Sequence, residues 1–280
     1  MTQFVLLVIL TAAALDALQH SLIKATSDAV SMALMVAMMG GLVALPVLAA
    51  TGLPDPAAYP WLVASIALGS LYWVVLGWAY QTHALAVVFP LSRGTAVLTT
   101  TIGATVFMGE TLSSGQWLTV LIVIVGLAII AAHATRGRMP VAALAPSLAV
   151  ALVTAAFMLV DASGVRVSQS PASYAAILYI GNAIGTGLYA FMFQRQRVAM
   201  FGPKQVMPAL GIAAMSITVY SMILFAFAHA PVAVVAALAE TSIVFAALLG
   251  VFWLREPARP YHLAGIAIVA AGAVFLNLAG

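Results

Sequence analysis

Of 280 residues, 65% are hydrophobic and only 6% charged, where soluble domains carry roughly 25% charged residues, and the mean hydropathy is +1.16. That composition excludes a soluble enzyme, a nucleic-acid binder and a disordered scaffold, because the net charge of +3 rests on only 10 basic and 7 acidic residues. With no cysteine there is no disulfide, thiolate metal site or cysteine nucleophile, and the chain reads as an all-α integral membrane protein.

A helix crosses about 30 Å of hydrocarbon with ~20 residues. Ten apolar stretches of that length are predicted, at 3–22, 30–50, 60–80, 84–107, 117–134, 142–163, 174–193, 207–227, 231–253 and 261–279. The first is expected to stay uncleaved, since no basic segment precedes it and Asp16 falls inside it. Asp16 and His20 stand four apart on one helical face. Histidine titrates near neutral pH, so the two form a proton-coupling candidate or, alternatively, a local surface hydrogen bond. Thr26-Ser27-Asp28 ends this span, and Leu53-Pro54-Asp55-Pro56 ends the second.

Span three carries Tyr72, Trp73, Trp78 and Tyr80. Interfacial belts explain most such rings, but Trp73, Tyr80 and Tyr220 of span eight are candidates to line a cavity and stack on an aromatic or amine ligand. His83 precedes span four, which holds Pro90 and Arg93. Pro90 removes a backbone donor, so an opened turn beside Arg93 is expected to give the span a gating element. Gly109-Glu110 separates spans four and five, and Arg136-Gly137-Arg138-Met139-Pro140 separates five and six.

Span six contains Asp161, a second proton-coupling candidate, with Arg166 five residues on to neutralise it in part. Tyr174, Tyr179 and Tyr189 mark span seven, where Gly181, Asn182, Gly185 and Gly187 suggest a small-residue packing stripe rather than a ligand site. His229 and Pro231 precede or begin span nine. His83 and His229 are therefore read as gate candidates or as plain interfacial residues. Span nine contains Glu240.

Shifted by 146, residues 83–133 lie over 229–279 without a gap: His83 meets His229, Thr95 meets Thr241, Glu110 meets Glu256 and Gly126 meets Gly272. A shift of 145 places Asp16 on Asp161. Two five-span halves follow, 1–135 and 136–280, and an odd number of crossings makes the second an inverted copy of the first. Inverted repeats about a midplane site are a recurrent transporter design. Arg93 and Glu240 then fall near mid-depth on spans that pack about the pseudo-twofold axis. They form either a static buried ion pair or a clamp for the carboxylate and ammonium of a zwitterion. Loops after spans one, five, seven and nine hold eight basic residues against one, Arg166, in the opposite set. The positive-inside rule then puts both termini outside the plasma (inner) membrane.

The stretches Phe89-Pro90-Leu91-Ser92-Arg93-Gly94-Thr95-Ala96 and Ala237-Leu238-Ala239-Glu240-Thr241-Ser242 resemble the fourth- and ninth-span motifs of EamA-type members of the drug/metabolite transporter superfamily. His20, Lys24 and Asp28, with Gly109-Glu110-Thr111-Leu112 and Arg255-Glu256-Pro257, are similar to the same group. The resemblance covers the whole chain. It implies ten helices as two inverted five-helix repeats around a central cavity, and export of small metabolites, often amino acids including aromatic ones. Many members of the superfamily have cytoplasmic termini, which the basic residues here contradict. No enzyme, cofactor or metal is expected, because no nucleophile–base set and no tight histidine–carboxylate spacing occurs. Membrane lipid and a small-molecule substrate are the expected partners of a monomer or homodimer. The competing readings are a flippase for lipid head groups or lipophilic compounds, and an uptake carrier of the same fold.

Overall fold

The structure, a computed structural model, describes residues 2–26, 28–82, 85–134, 141–196, 202–252, 264–265, 267–272 and 275. All regular structure among them is helical. The elements are α1 (Gln3–Lys24), α2 (Ala29–Thr51), α3 (Tyr59–Thr82), α4 (Leu85–Phe107), α5 (Ser114–Ala134), α6 (Leu144–Ser168), α7 (Pro171–Phe193), α8 (Pro203–His229), α9 (Val232–Ala239) and α10 (Ser242–Phe252). Among the described residues, five segments are long and apolar enough to cross a membrane: Gln3–Ile23, Ser31–Thr51, Val141–Ser168, Pro171–Phe193 and Pro203–His229. The 24, 23 and 21 residues of α3, α4 and α5 also match the ~20 that a bilayer requires. This is the architecture of a multi-pass membrane protein.

Several helices begin before the apolar stretch does, because polar residues satisfy their first amides. Asp28 accepts from the Ser31 amide at 3.1 Å and starts α2. Ser170 accepts from the Ser173 amide at 3.2 Å, and Pro171 occupies the first turn, so α7 starts three residues ahead of the predicted 174. Before α8, Gln205 Oε1 accepts from the Gly202 amide at 2.8 Å.

The predicted continuous ninth span is a larger departure. It is broken into α9 and α10 at Glu240-Thr241, where α-helical bonding gives way to i→i−3 bonds. Glu240 N donates to Ala237 O at 3.2 Å, Thr241 N to Leu238 O at 3.0 Å and Ile243 N to Glu240 O at 3.0 Å. By contrast α4 is helical through 85–107, with Pro90 inside it. The interruption expected beside Arg93 therefore lies in the span that carries Glu240.

Glycines set the closest helix approaches. A Cβ on Gly41 would stand 2.6 Å from Ala183 Cβ, so only glycine lets α2 lie this near α7. A Cβ on Gly69 would stand 2.8 Å from Asn182 Oδ1, and Gly185 faces Ser70 Oγ in the same way at 2.7 Å. The expected packing stripe of α7 is thus the seam that α3 occupies, with Gly187 outside it. Helices α3 and α4 pack on α6, while α8 and α10 pack on α1. At the centre α9 is enclosed, with Val232–Leu238 each no more than 1% exposed. Leu7, Val106, Phe107, Ile184 and Met207 point outward, as lipid-facing side chains do.

One end of the bundle is well tied. Ser173 Oγ donates to Thr51 O at 3.4 Å, Asp55 N to Ser168 O at 3.2 Å, and Gln169 Nε2 to Asp55 Oδ2 at 2.8 Å. The C-terminal ends of α2 and α6 and the N-terminal ends of α3 and α7 therefore share this face.

Candidate substrate site

The broken span places Glu240 between the C-terminal end of α9 and the N-terminal end of α10. Arg93 comes from α4, which packs against α9. Its Nε donates to Glu240 Oε2 at 3.0 Å across 147 positions of sequence. The Glu240 side chain is only 2% exposed, whereas Arg93 is 27% exposed. A carboxylate this enclosed needs its cation, since an unpaired buried charge costs several kcal/mol. Arg93 meets that need while part of its side chain stays exposed.

Asp16 enters the same field from α1. Its carboxylate lies within electrostatic range of Arg93 and Glu240, and Tyr72 of α3 within range of Arg93. Gln19 Nε2 donates to Asp16 Oδ1 at 2.7 Å, and Gln19 Oε1 accepts from Ser216 Oγ of α8 at 2.6 Å. His20 Nε2 stands 3.5 Å from Asp16 Oδ1, with the imidazole mostly exposed. The expected Asp16–His20 contact is therefore present, and Gln19 ties it to α8. Chemically, the group offers two carboxylates and a guanidinium at the broken turn, with an imidazole at its outer edge. Such a set suits a small polar or zwitterionic ligand.

Asp161 lies elsewhere. It is fully buried on α6. Tyr174 Oη of α7 donates to its Oδ1 at 3.1 Å, and Tyr220 Oη of α8 donates to its Oδ2. The Ser65 hydroxyl of α3 is buried beside the same carboxylate, outside strict hydrogen-bonding geometry. Tyr220, expected to stack on a ligand, stacks on Phe157 with ring centroids 5.7 Å apart and points its hydroxyl at Asp161.

Arg166 does not neutralise Asp161. Its Nη2 donates to Glu110 Oε1 at 2.6 Å and to Ala230 O at 3.3 Å, and its Nε donates to Phe227 O at 3.0 Å. Glu110 Oε2 accepts from the Val232 amide at 2.8 Å. One ion pair thus joins the end of α6, the turn after α4, the end of α8 and the start of α9, on the tied face of the bundle. Glu110 carries no functional role in the sequence reading, and 56 positions separate it from Arg166. His229 stays local: Nδ1 lies 2.8 Å from Phe225 O and its ring stacks on Phe225. His83 lies outside the described residues, as do the side chains of Trp73, Tyr80 and Pro90.

No curated protein sequence matches the chain. A solved structure titled "Crystal structure of protein" superposes over 100% of both chains with a TM-score of 0.78 at 16% identity, and so shares the fold. The second half of the chain, residues 141–278, matches the EamA-like transporter family. That domain supports the drug/metabolite transporter superfamily, whose members move small molecules across membranes, as the kind of protein this chain is similar to.

Proposed function

We propose that the protein is a secondary transporter that exports small metabolites, amino acids and aromatic ones foremost, by alternating access around Arg93, Glu240 and Asp16. The observation that carries this reading is the Arg93–Glu240 pair at the interruption of a membrane span. Ionisable groups inside membranes are costly and mark substrate or ion pathways, and interrupted helices at mid-depth are a transporter device. Arg93 gives such a ligand a carboxylate partner, while Glu240 and Asp16 give it ammonium partners.

The reading includes ten spans in two inverted halves, 1–135 and 136–280. Supporting it, the C-terminal end of α2 shares a face with the N-terminal end of its counterpart α7. The N-terminal end of α3 likewise shares that face with the C-terminal end of α8, through the Asp55–Ser168 and Arg166–Phe227 bonds. Packing of α3 and α4 on α6 has a matching arrangement in α8 and α10 on α1. Counterparts running in opposite directions are what inversion requires.

The test is counterflow in proteoliposomes with a radiolabelled mixture of the proteinogenic amino acids. Uptake accelerated by preloaded unlabelled amino acid supports the carrier. Lipid scrambling without counterflow replaces it by a flippase.

A further inference from the structure

Asp161 has a constructed environment that the substrate site does not use. It is fully buried, and among the described residues the polar groups beside it are uncharged hydroxyls: Tyr174 from α7, Tyr220 from α8 and Ser65 from α3. Tyr179 of α7 stands behind Tyr220, at 6.4 Å between ring centroids. From α4 the polar contact to α6 is Thr100 Oγ1 on Met158 Sδ at 3.8 Å, which is again uncharged. Arg166, on the same helix as Asp161, is committed to Glu110. Gly164, one turn on, makes room for the Tyr174 phenol, and a Cβ there would collide with both that ring and Trp61 Cβ, 2.6 Å away.

Enclosure with no cation beside it among the described residues penalises the carboxylate relative to its neutral acid, while two phenol donors favour the anion. The phenols donate to the anion, and a hydroxyl oxygen is equally able to accept from the acid, so exchange between the two forms needs only a proton and a hydroxyl rotation. Tyr220 joins this acid to the aromatic layer of Phe157 and Tyr179, so protonation of Asp161 alters the hydroxyl that positions that layer.

We propose that Asp161 is a proton-binding site of the transport cycle, coupled to substrate through Tyr220. This rests on the transporter reading above. In the step itself the Asp161 O–H bond breaks, its electron pair stays on the carboxylate, and the proton passes to water on the side to which the bundle has opened. A proton from the other side restores the acid after reorientation.

The experiment uses the full chain in proteoliposomes, an internal pH dye and the radiolabelled amino-acid mixture. With one-to-one coupling, a gradient of one pH unit accumulates the probe about tenfold over the equal-pH control, since one unit corresponds to ~1.4 kcal/mol. In Asp161→Asn that accumulation is expected to vanish while counterflow falls far less, and Asp161→Glu is expected to restore it. Tyr220→Phe keeps the ring and is expected to displace the pH profile of counterflow. Gradient-driven accumulation by Asp161→Asn equal to wild type overturns the proposal. Wild type that shows counterflow but neither proton movement nor accumulation overturns it too, whatever the variants do. Absence of counterflow in wild type is a different result, and takes the transporter reading with it.

Discussion

At the scale of single residues, the Arg93–Glu240 contact separates a packing device from a binding device by experiment. Glu240→Gln leaves the partly exposed Arg93 side chain beside a neutral amide with Asp16 still in range, and is expected to cost roughly 1–3 kcal/mol, read as a lowered melting temperature in detergent. Exchanging the charges, Arg93→Glu with Glu240→Arg, is expected to recover most of that stability. The swapped pair presents each charge from the wrong helix, so counterflow should remain at least about tenfold below wild type, equivalent to ~1.4 kcal/mol of site binding. Wild-type counterflow from the swapped protein would reduce the pair to a static clamp. This contact was legible in the sequence because ionisable residues inside spans are scarce and each must find a partner. The neutralisation of Asp161 by Arg166 was misread for a helical reason. Five residues advance about 140° around an α-helix, so the guanidinium leaves the Asp161 face and reaches the end of the bundle, where carbonyls and Glu110 receive it.

The scale of elements shows why some boundaries could be read and others not. Apolar runs locate α1 to α8 because the bilayer demands length and hydrophobicity together. Caps such as Ser170 and Asp28 are polar, so a hydropathy reading leaves them outside the helices that they begin. The break at Glu240-Thr241 follows eight wholly apolar residues and carries neither proline nor glycine, leaving no local signal. Two contacts hold it: across the bundle Glu240 turns to Arg93, and locally Thr241 Oγ1 bonds back to Leu238 O at 2.7 Å. At the other end of α9 the first amide is held by Glu110, itself held by Arg166. This latch fixes the start of the short helix whose end carries Glu240 of the proposed substrate site. Glu110→Ala is expected to free the tied face and raise maleimide labelling of a probe introduced by Ala230→Cys, which is nearly buried in the latched protein. Since the chain has no cysteine, the signal comes from that position alone. Releasing a charged pair worth about 1.5–3 kcal/mol corresponds to roughly a tenfold or greater rise in the labelled fraction. Unchanged labelling would mean that the latch does not hold the face shut.

For the molecule as a whole, the latch and the distribution of charge bear on one question, which side of the membrane is closed. The tied face gathers Thr51, Asp55, Glu110, Arg166, Gln169 and Ala230, and Arg166 is its single basic residue among those the sequence assigns to these loops. The opposite connections hold eight basic residues. If basic loops stay in the cytoplasm, the tied face is external and the bundle is shut toward the outside. Asp161 then lies seven residues inside the external end of α6, about 10 Å in, and Asp16 thirteen residues from the same face, about 20 Å in. The two acids then lie at different depths, with Glu240 between them, eight residues or about 12 Å from the start of α9, and Arg93 near the depth of Asp16, fourteen residues from the end of α4. An impermeant maleimide added to intact cells tests the assignment. Ala57→Cys is expected to be labelled at once, and Gln196→Cys only after the membrane is permeabilised. The reverse order would make the Glu110–Arg166 latch an inner gate and leave the proposed substrate site closed toward the cytoplasm. Counterflow would survive that reversal, and so would the sign of the pH gradient that drives accumulation, because the coupling and not the orientation of the bundle sets it.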